Sequence, residues 1–131
     1  MNVGFIGLGH MGLPMAHRLA ARDFPLVAWN RTASRAASLA SGDVQLADSP
    51  QELASESDVV ITMLSDASAT HEILCGAHGV LSACREGSIV VDMSTIGPQA
   101  ARDIATEAAR QDVEFLDAPV SGSVALAEQG L

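Results

Sequence analysis

The sequence predicts an α/β fold: a doubly wound, all-parallel sheet covered on both faces by helices. Three observations predict it. Short apolar runs alternate with Ala-rich segments of helical period along the whole chain of 131 residues. The runs are continuous and lack the two-residue alternation of a half-exposed sheet, as strands buried on both faces require. The segments between them are long enough for helices, which makes each strand–helix–strand repeat a right-handed crossover unit. The length suits one domain with its own core.

The elements follow in order. Val3–Ile6 is a first strand, and Met11–Ala21 a helix. Leu26–Trp29 is a second strand, followed by a helix over Ala33–Ala40. Val44–Leu46 is a short third strand, and Pro50–Ser55 a short helix with proline at its start, where a missing N–H costs nothing. Val59–Leu64 is a fourth strand, and Ala69–Leu74 a helix. Ser88–Asp92 is a fifth strand, Gln99–Arg110 a helix, and Val113–Leu116 a sixth strand. Six strands in this arrangement form two mononucleotide-binding halves with the order 3-2-1-4-5-6.

Composition narrows the function classes. Net charge is −9, and all seven basic residues are arginine. They are scattered, without the clustered footprint that nucleic acid demands. No apolar run approaches the ~20 residues of a membrane span. The N-terminus lacks the charged and apolar regions of a secretory signal, so a cytoplasmic protein is expected. Cys75 and Cys84 have no metal-ligand spacing and read as inert thiols of a reducing compartment; no metal is expected.

The first strand runs into Gly7-Leu8-Gly9-His10-Met11-Gly12, and a helix opens inside this stretch. A GxGxxG pattern is weak alone and much stronger between a buried strand and a helix. Gly7 makes the tight turn, Gly9 lets the backbone approach a pyrophosphate, and Gly12 lets the helix pack on the strand. The helix start offers unpaired N–H groups and the positive end of the helix dipole. His10 and Met11 lie over the phosphates or face solvent. At the tip of the second strand, Asn30 stands where an acid would bond a ribose hydroxyl in NAD-using proteins. A neutral Asn30 does not repel a 2′-phosphate, and Arg31 can pair with it, while Thr32 adds a hydroxyl. This favours NADP over NAD. The plainer alternative is that Asn30 or Thr32 caps the next helix and Arg31 is a solvated charge.

The remaining strand ends become small, polar or glycine-rich at the same edge: Met63-Leu64-Ser65-Asp66, Asp92-Met93-Ser94-Thr95, and Asp117 through Ser123. Ligands of open α/β sheets bind at that edge.

Four segments together resemble the β-hydroxyacid dehydrogenases, the family of 3-hydroxyisobutyrate dehydrogenase and tartronate-semialdehyde reductase. They are GFIGLGHMGLPMA (4–16), WNRT (29–32), GSIVVDMSTIGP (87–98), and DAPVSGS (117–123) continuing into AEQG (127–130). The resemblance spans essentially the whole chain. It implies a Rossmann-type domain in which Gly7, Leu8, Gly9, His10, Met11 and Gly12 hold the cofactor. Asn30, Arg31 and Thr32 match the NADP-using form. Leu64 and Ser65 are implied on the adenosine–ribose side, and Thr95 at the nicotinamide end. Ser121, Gly122 and Ser123 match the segment that grips the carboxylate of a small hydroxyacid or semialdehyde, which fits the anion-binding ability of convergent N–H groups.

Departures from the family pattern are Ser123 in place of a frequent glycine, His17-Arg18 on the first helix, and Asp23 where glycine often ends that helix. The resemblance also implies a following helical domain bearing a catalytic lysine, and this sequence contains no lysine. Residues 1–131 are therefore expected to be the cofactor domain of such an enzyme, incomplete at its C-terminal end, and a homo-oligomer is expected. Two alternatives stay open: a stand-alone NADP-binding module without chemistry, and an imine reductase-like enzyme, against which the carboxylate motif argues.

Overall fold

Burial runs highest in the strands at the middle of the sheet. In a computed structural model that describes residues 1–22, 24–40 and 43–131, β1 (Val3–Ile6) is buried at every position and β2 (Leu26–Trp29) at all but the last. Asp23, assigned from the sequence to a helix end, lies outside the described residues. The other strands are β3 (Val44–Leu46), β4 (Val59–Thr62), β5 (Ile89–Asp92) and β6 (Glu114–Asp117). All pair in parallel in the order β3-β2-β1-β4-β5-β6, as expected from the sequence. The helices are α1 (Gly12–Ala20), α2 (Pro50–Glu56), α3 (Ala67–Cys75), α4 (Pro98–Ala109) and α5 (Val124–Gln129).

Strand side chains alternate between faces, so each face has its own core. On one face Ile6, Val27, Val60 and Val90 pack against Leu53 of α2, Leu74 of α3 and Ile104 of α4. On the other, Val3, Phe5, Leu26 and Ala28 pack against Ala16 of α1 and against Ala36 and Leu39.

The expected cover on both faces is only half met. β1 to β3 step one way across the sheet; β3 to β4 and onward to β6 steps the other way. Right-handed crossovers taken in opposite directions put their helices on opposite faces. Three consecutive helices, α2, α3 and α4, therefore share one face. The other face has α1 over β1 and β2, and its β4–β6 half lies open among the described residues. Ile89 is 40% exposed there and Leu116 54%, in register rows with Val59 and Ile61. Only α5 leans toward this space, against α1.

Two further expectations change. The helix predicted over Ala33–Ala40 is a 3₁₀ turn at Ala33–Ala36 followed by further turns. Its N–H groups reach back three residues, as in Arg35 to Thr32 and Leu39 to Ala36. The buried pair Ala36 and Leu39 is spaced by three, which suits this tighter coil, and the Thr32 side chain provides no cap. In contrast, α5 was not anticipated. The Ser123 hydroxyl accepts from the Leu126 N–H at its start, and Gly130 closes it at φ 75°. β1, β2 and β3 keep their expected bounds, and the remaining boundaries lie within two residues of those expected. Thus α3 begins earlier than expected because Asp66 caps it, accepting from the Ala69 N–H at 2.8 Å.

Burial pushes the Cys84 thiol up to about 11 and raises that of Cys75 as well. The thiolate is the reactive form. Iodoacetamide at pH 8 should therefore label Cys84 roughly 100-fold more slowly than a small free thiol; equal rates measured by mass spectrometry would contradict the burial. The open half-face should make residues 1–131 self-associate at high concentration, because exposed apolar patches of this kind drive association. Leu116→Lys should shift the sedimentation profile toward monomer, and an unshifted profile would place the contact elsewhere.

Candidate functional site

The parallel sheet brings the carboxyl ends of its strands, and so the loops read from the sequence, to one edge. The turn after β1 is built from backbone contacts. Gly7 has φ +100°, and a Cβ there would strike the Met63 carbonyl. A Cβ on Gly12 would run into the carbonyl oxygen of Gly7 and lie 3.2 Å from the Phe5 ring. These two glycines serve the protein's own packing. Gly9 is different: a Cβ there would meet nothing within 4 Å, and its φ is one any residue accepts. Its smallness serves nothing inside the described chain. The start of α1 has no side-chain cap and no acid in its first turn; the Leu13 N–H donates to the Gly9 carbonyl at 3.1 Å.

Asn30 is committed on both sides of its amide. Its Oδ1 accepts from the Leu8 N–H at 2.8 Å, and its Nδ2 donates to the Thr32 carbonyl at 2.9 Å. It thus bridges the glycine turn and the next loop, and neither it nor Thr32 caps the following turn by its side chain. An aspartate could accept from Leu8 but could not donate to Thr32. The Leu8 side chain is wholly buried in the core, so Leu8 contributes shape and not groove wall.

A cavity of about 540 Å³ opens between these loops, walled by Gly9, His10 and Met11, by Trp29 through Thr32, and by Leu64 and Ser65. Arg35 also lines it, together with Ala69, Glu72 and Ile73 of α3. Arg35 was missed from the sequence; its signal was the second guanidinium four residues after Arg31. At the rim, the Ala69 N–H and then the Ser65 hydroxyl hold the Asp66 carboxyl below the ordinary range, with a smaller contribution from Arg31.

A second cavity, about 430 Å³, lies beside α1 over the open half-face. Phe5, Met15, Ile61 and Met93 line it, Ser121, Gly122 and Ser123 stand at its wall, and Met11 faces both cavities. The sheet therefore brings the glycine turn, Asn30–Thr32 and Leu64–Ser65 together, and places Ser121–Ser123 across Met11 from them. Thr95 is exposed on the loop after β5 and lines neither cavity.

At the end of β5 sits the wholly buried Asp92, which lines neither cavity. Its Oδ1 accepts from Thr62 Oγ1 at 2.7 Å, Ser94 Oγ at 2.6 Å and the Ser94 N–H at 3.2 Å. Ser94 Oγ in turn accepts from the Leu64 N–H at 2.8 Å. Among the described residues, Asp92 Oδ2 is the buried side-chain atom with no hydrogen-bond partner. Such an atom costs about 1–3 kcal/mol. In the sequence, Asp92 reads only as the end of the fifth strand.

The family described as the NAD binding domain of 6-phosphogluconate dehydrogenase matches residues 2–131. The chain is 39% identical over 128 residues to the mitochondrial 3-hydroxyisobutyrate dehydrogenase of Mus musculus, covering 98% of this chain and 38% of that protein. It is 36% identical over 130 residues to 2-(hydroxymethyl)glutarate dehydrogenase of Eubacterium barkeri, covering 99% of this chain and 43% of that protein. The chain thus spans about two fifths of the length of these relatives. A solved structure of Psf3 in complex with NADP+ and 2-OPP superposes with a TM-score of 0.93 at 32% identity, over 98% of this chain and 46% of that one.

The three glycines should separate cleanly on substitution. Gly9→Ala should leave thermal stability within ~0.5 kcal/mol, as at an unhindered surface site, yet weaken dinucleotide binding at least tenfold. Gly12→Ala should lower stability by about 1–3 kcal/mol through overpacking against the Gly7 carbonyl. Thermal melts paired with calorimetric titration read both; a Gly9→Ala protein that binds normally would remove Gly9 from the site.

Proposed function

We propose, from the premise that this chain belongs to the family of the NAD binding domain of 6-phosphogluconate dehydrogenase, that it is the cofactor half of an NADP-dependent oxidoreductase acting on a small β-hydroxyacid or semialdehyde. The observation that carries the reading is Gly9: a glycine with free space around it, at an uncapped helix start where a pyrophosphate can be received. When bound, the nicotinamide supplies a hydride donor or acceptor.

The chain's own residues then do the following. The α1 N–H groups and Gly9 take the pyrophosphate. Asn30 holds the loop that presents Arg31, and Arg31 with Arg35 embraces a 2′-phosphate through charge-assisted hydrogen bonds. Leu64, Ser65 and α3 wall the adenosine side. Ser121–Ser123 grip the substrate carboxylate with hydroxyl and backbone N–H groups, and Thr95 closes the nicotinamide end. The NADP+ bound in the Psf3 structure supports this cofactor for a relative at 32% identity. The kinship with 3-hydroxyisobutyrate dehydrogenase and 2-(hydroxymethyl)glutarate dehydrogenase supports a small hydroxyacid as substrate class.

Hydride transfer to a carbonyl also needs a proton donor for the oxygen. This sequence has no lysine, so the lysine implied by the family pattern is assigned to a helical domain outside residues 1–131. That assignment fits the length of the relatives. A homo-oligomer acting in a reducing, cytoplasmic setting completes the reading. It fits the open apolar half-face and the two free thiols. Among the described residues, no helix is long and apolar enough to cross a membrane.

The test is a titration with NADPH and NADH. The protein has one tryptophan, Trp29, and it lines the cofactor cavity; its quenching and energy transfer to bound nicotinamide give a direct signal. NADPH should bind more tightly than NADH, and Arg31→Ala and Arg35→Ala should each narrow the gap by about 1–3 kcal/mol, the worth of a charge-assisted pair. Equal affinities in the unaltered chain would overturn the NADP assignment.

A further inference from the structure

We propose that Asp92 is a positioning residue that ties the wall of the cofactor cavity to the turn leading into Ser121–Ser123, so that the hydride partners keep one separation. The proposal builds on the two-cavity reading above.

Asp92 reaches in two directions. Its side chain goes one way, to β4. There it accepts from Thr62, its register partner, and through Ser94 Oγ it fixes the N–H of Leu64 in the cofactor cavity. Its main chain goes the other way, to β6. The Asp92 carbonyl accepts from the Ala118 N–H at 2.8 Å, at the start of the loop that carries Ser121–Ser123. The next residue, Met93, lines the second cavity. One residue therefore reaches both walls through its neighbours, Ser94 toward Leu64 on one side and Met93 and Ala118 on the other, and it is wholly buried, lining neither cavity itself. It acts through its neighbours and not on substrate.

The choice of residue type points the same way. Thr62 Oγ1, Ser94 Oγ and the Ser94 N–H all donate to one oxygen. A carboxylate is acceptor-only and can take all three. Asparagine in the same pose would put a buried N–H₂ where Oδ2 now has no partner. A strand end that needed only stability would do better with an apolar side chain. The retained carboxylate makes sense if the three donors must be held.

Amide hydrogen exchange by NMR on the wild type, Asp92→Asn and Ser94→Ala decides the matter, with NADPH titrations read at Trp29. Asp92→Asn should speed exchange about tenfold or more in both the Leu64–Ser65 and the Ala118–Ser123 segments while β1 and α2 keep their rates. Ser94→Ala removes one donor to Asp92 and the acceptor of the Leu64 N–H, so it should loosen the Leu64–Ser65 segment most and the Ala118–Ser123 segment less. Both variants should raise the NADPH dissociation constant, by about five- to twentyfold. Faster exchange on one side only in Asp92→Asn, a uniform increase across all amides, or NADPH affinity within twofold of wild type would each overturn the proposal. Should the wild type bind no NADPH, the cofactor reading falls, and the exchange pattern still decides whether the two walls are tied. If Asp92→Asn does not fold, Thr62→Val removes one donor at constant size and carries the same expectation for both segments. No change at Ala118 in that variant would overturn it.

Discussion

Everything at the ligand-binding edge depends on how closely α1 approaches the end of β1. Gly12 sits against the carbonyl of Gly7, and Gly7 turns with positive φ against the carbonyl of Met63. Three chain segments thus meet through backbone, with no side chain between them. Their N–H groups then need partners at a place where regular pairing has ended. Side chains from neighbouring strands provide them: Asn30 receives the Leu8 N–H, and Ser94 receives that of Leu64. The edge is stitched strand to strand by polar side chains. That keeps loops rigid enough to present a glycine with open space around it.

The charge distribution adds a second constraint. The chain carries −9 overall, so its long-range field repels an anionic nucleotide. On the proposed reading, attraction comes from short range: the uncapped start of α1, then Arg31 and Arg35 on the same cavity wall. Screening at physiological salt reduces the long-range repulsion far more than these close contacts. Such a site can gain selectivity from geometry because bulk charge offers it none.

How much of this was legible in the sequence varies with the physics of each element. The strand order could be read, because buried apolar runs and right-handed crossovers leave few alternatives. The glycine turn was legible because at Gly7 and Gly12 only glycine satisfies the contacts. The helix over Ala33–Ala40 was misread, since Ala-rich composition favours α-helix while burial of Ala36 and Leu39 three apart favours the tighter coil. The α5 helix was hidden because Ser123 was read as a ligand contact, although it also begins a helix that Gly130 ends. Full cover of the sheet was over-read: apolar runs in β4 and β5 were taken to be buried on both sides, and crossover direction leaves one of those sides open. The Asp92 network could not be seen at all, because the joining of Thr62, Ser94 and Leu64 exists only once β4 and β5 lie in register.

The position of β1 at the centre of the sheet has a consequence for synthesis. β1 comprises residues 3–6, yet it pairs on one side with β2 and on the other with β4, residues 59–62. A ribosome adding about 5–20 residues per second needs roughly 3–11 seconds to go from the last residue of β1 to the last of β4. During that interval a strand that ends up buried at every position has at best one neighbour. Until β4 is made, the side of β1 that will pair with it stays open, and during that interval it can meet wrong partners.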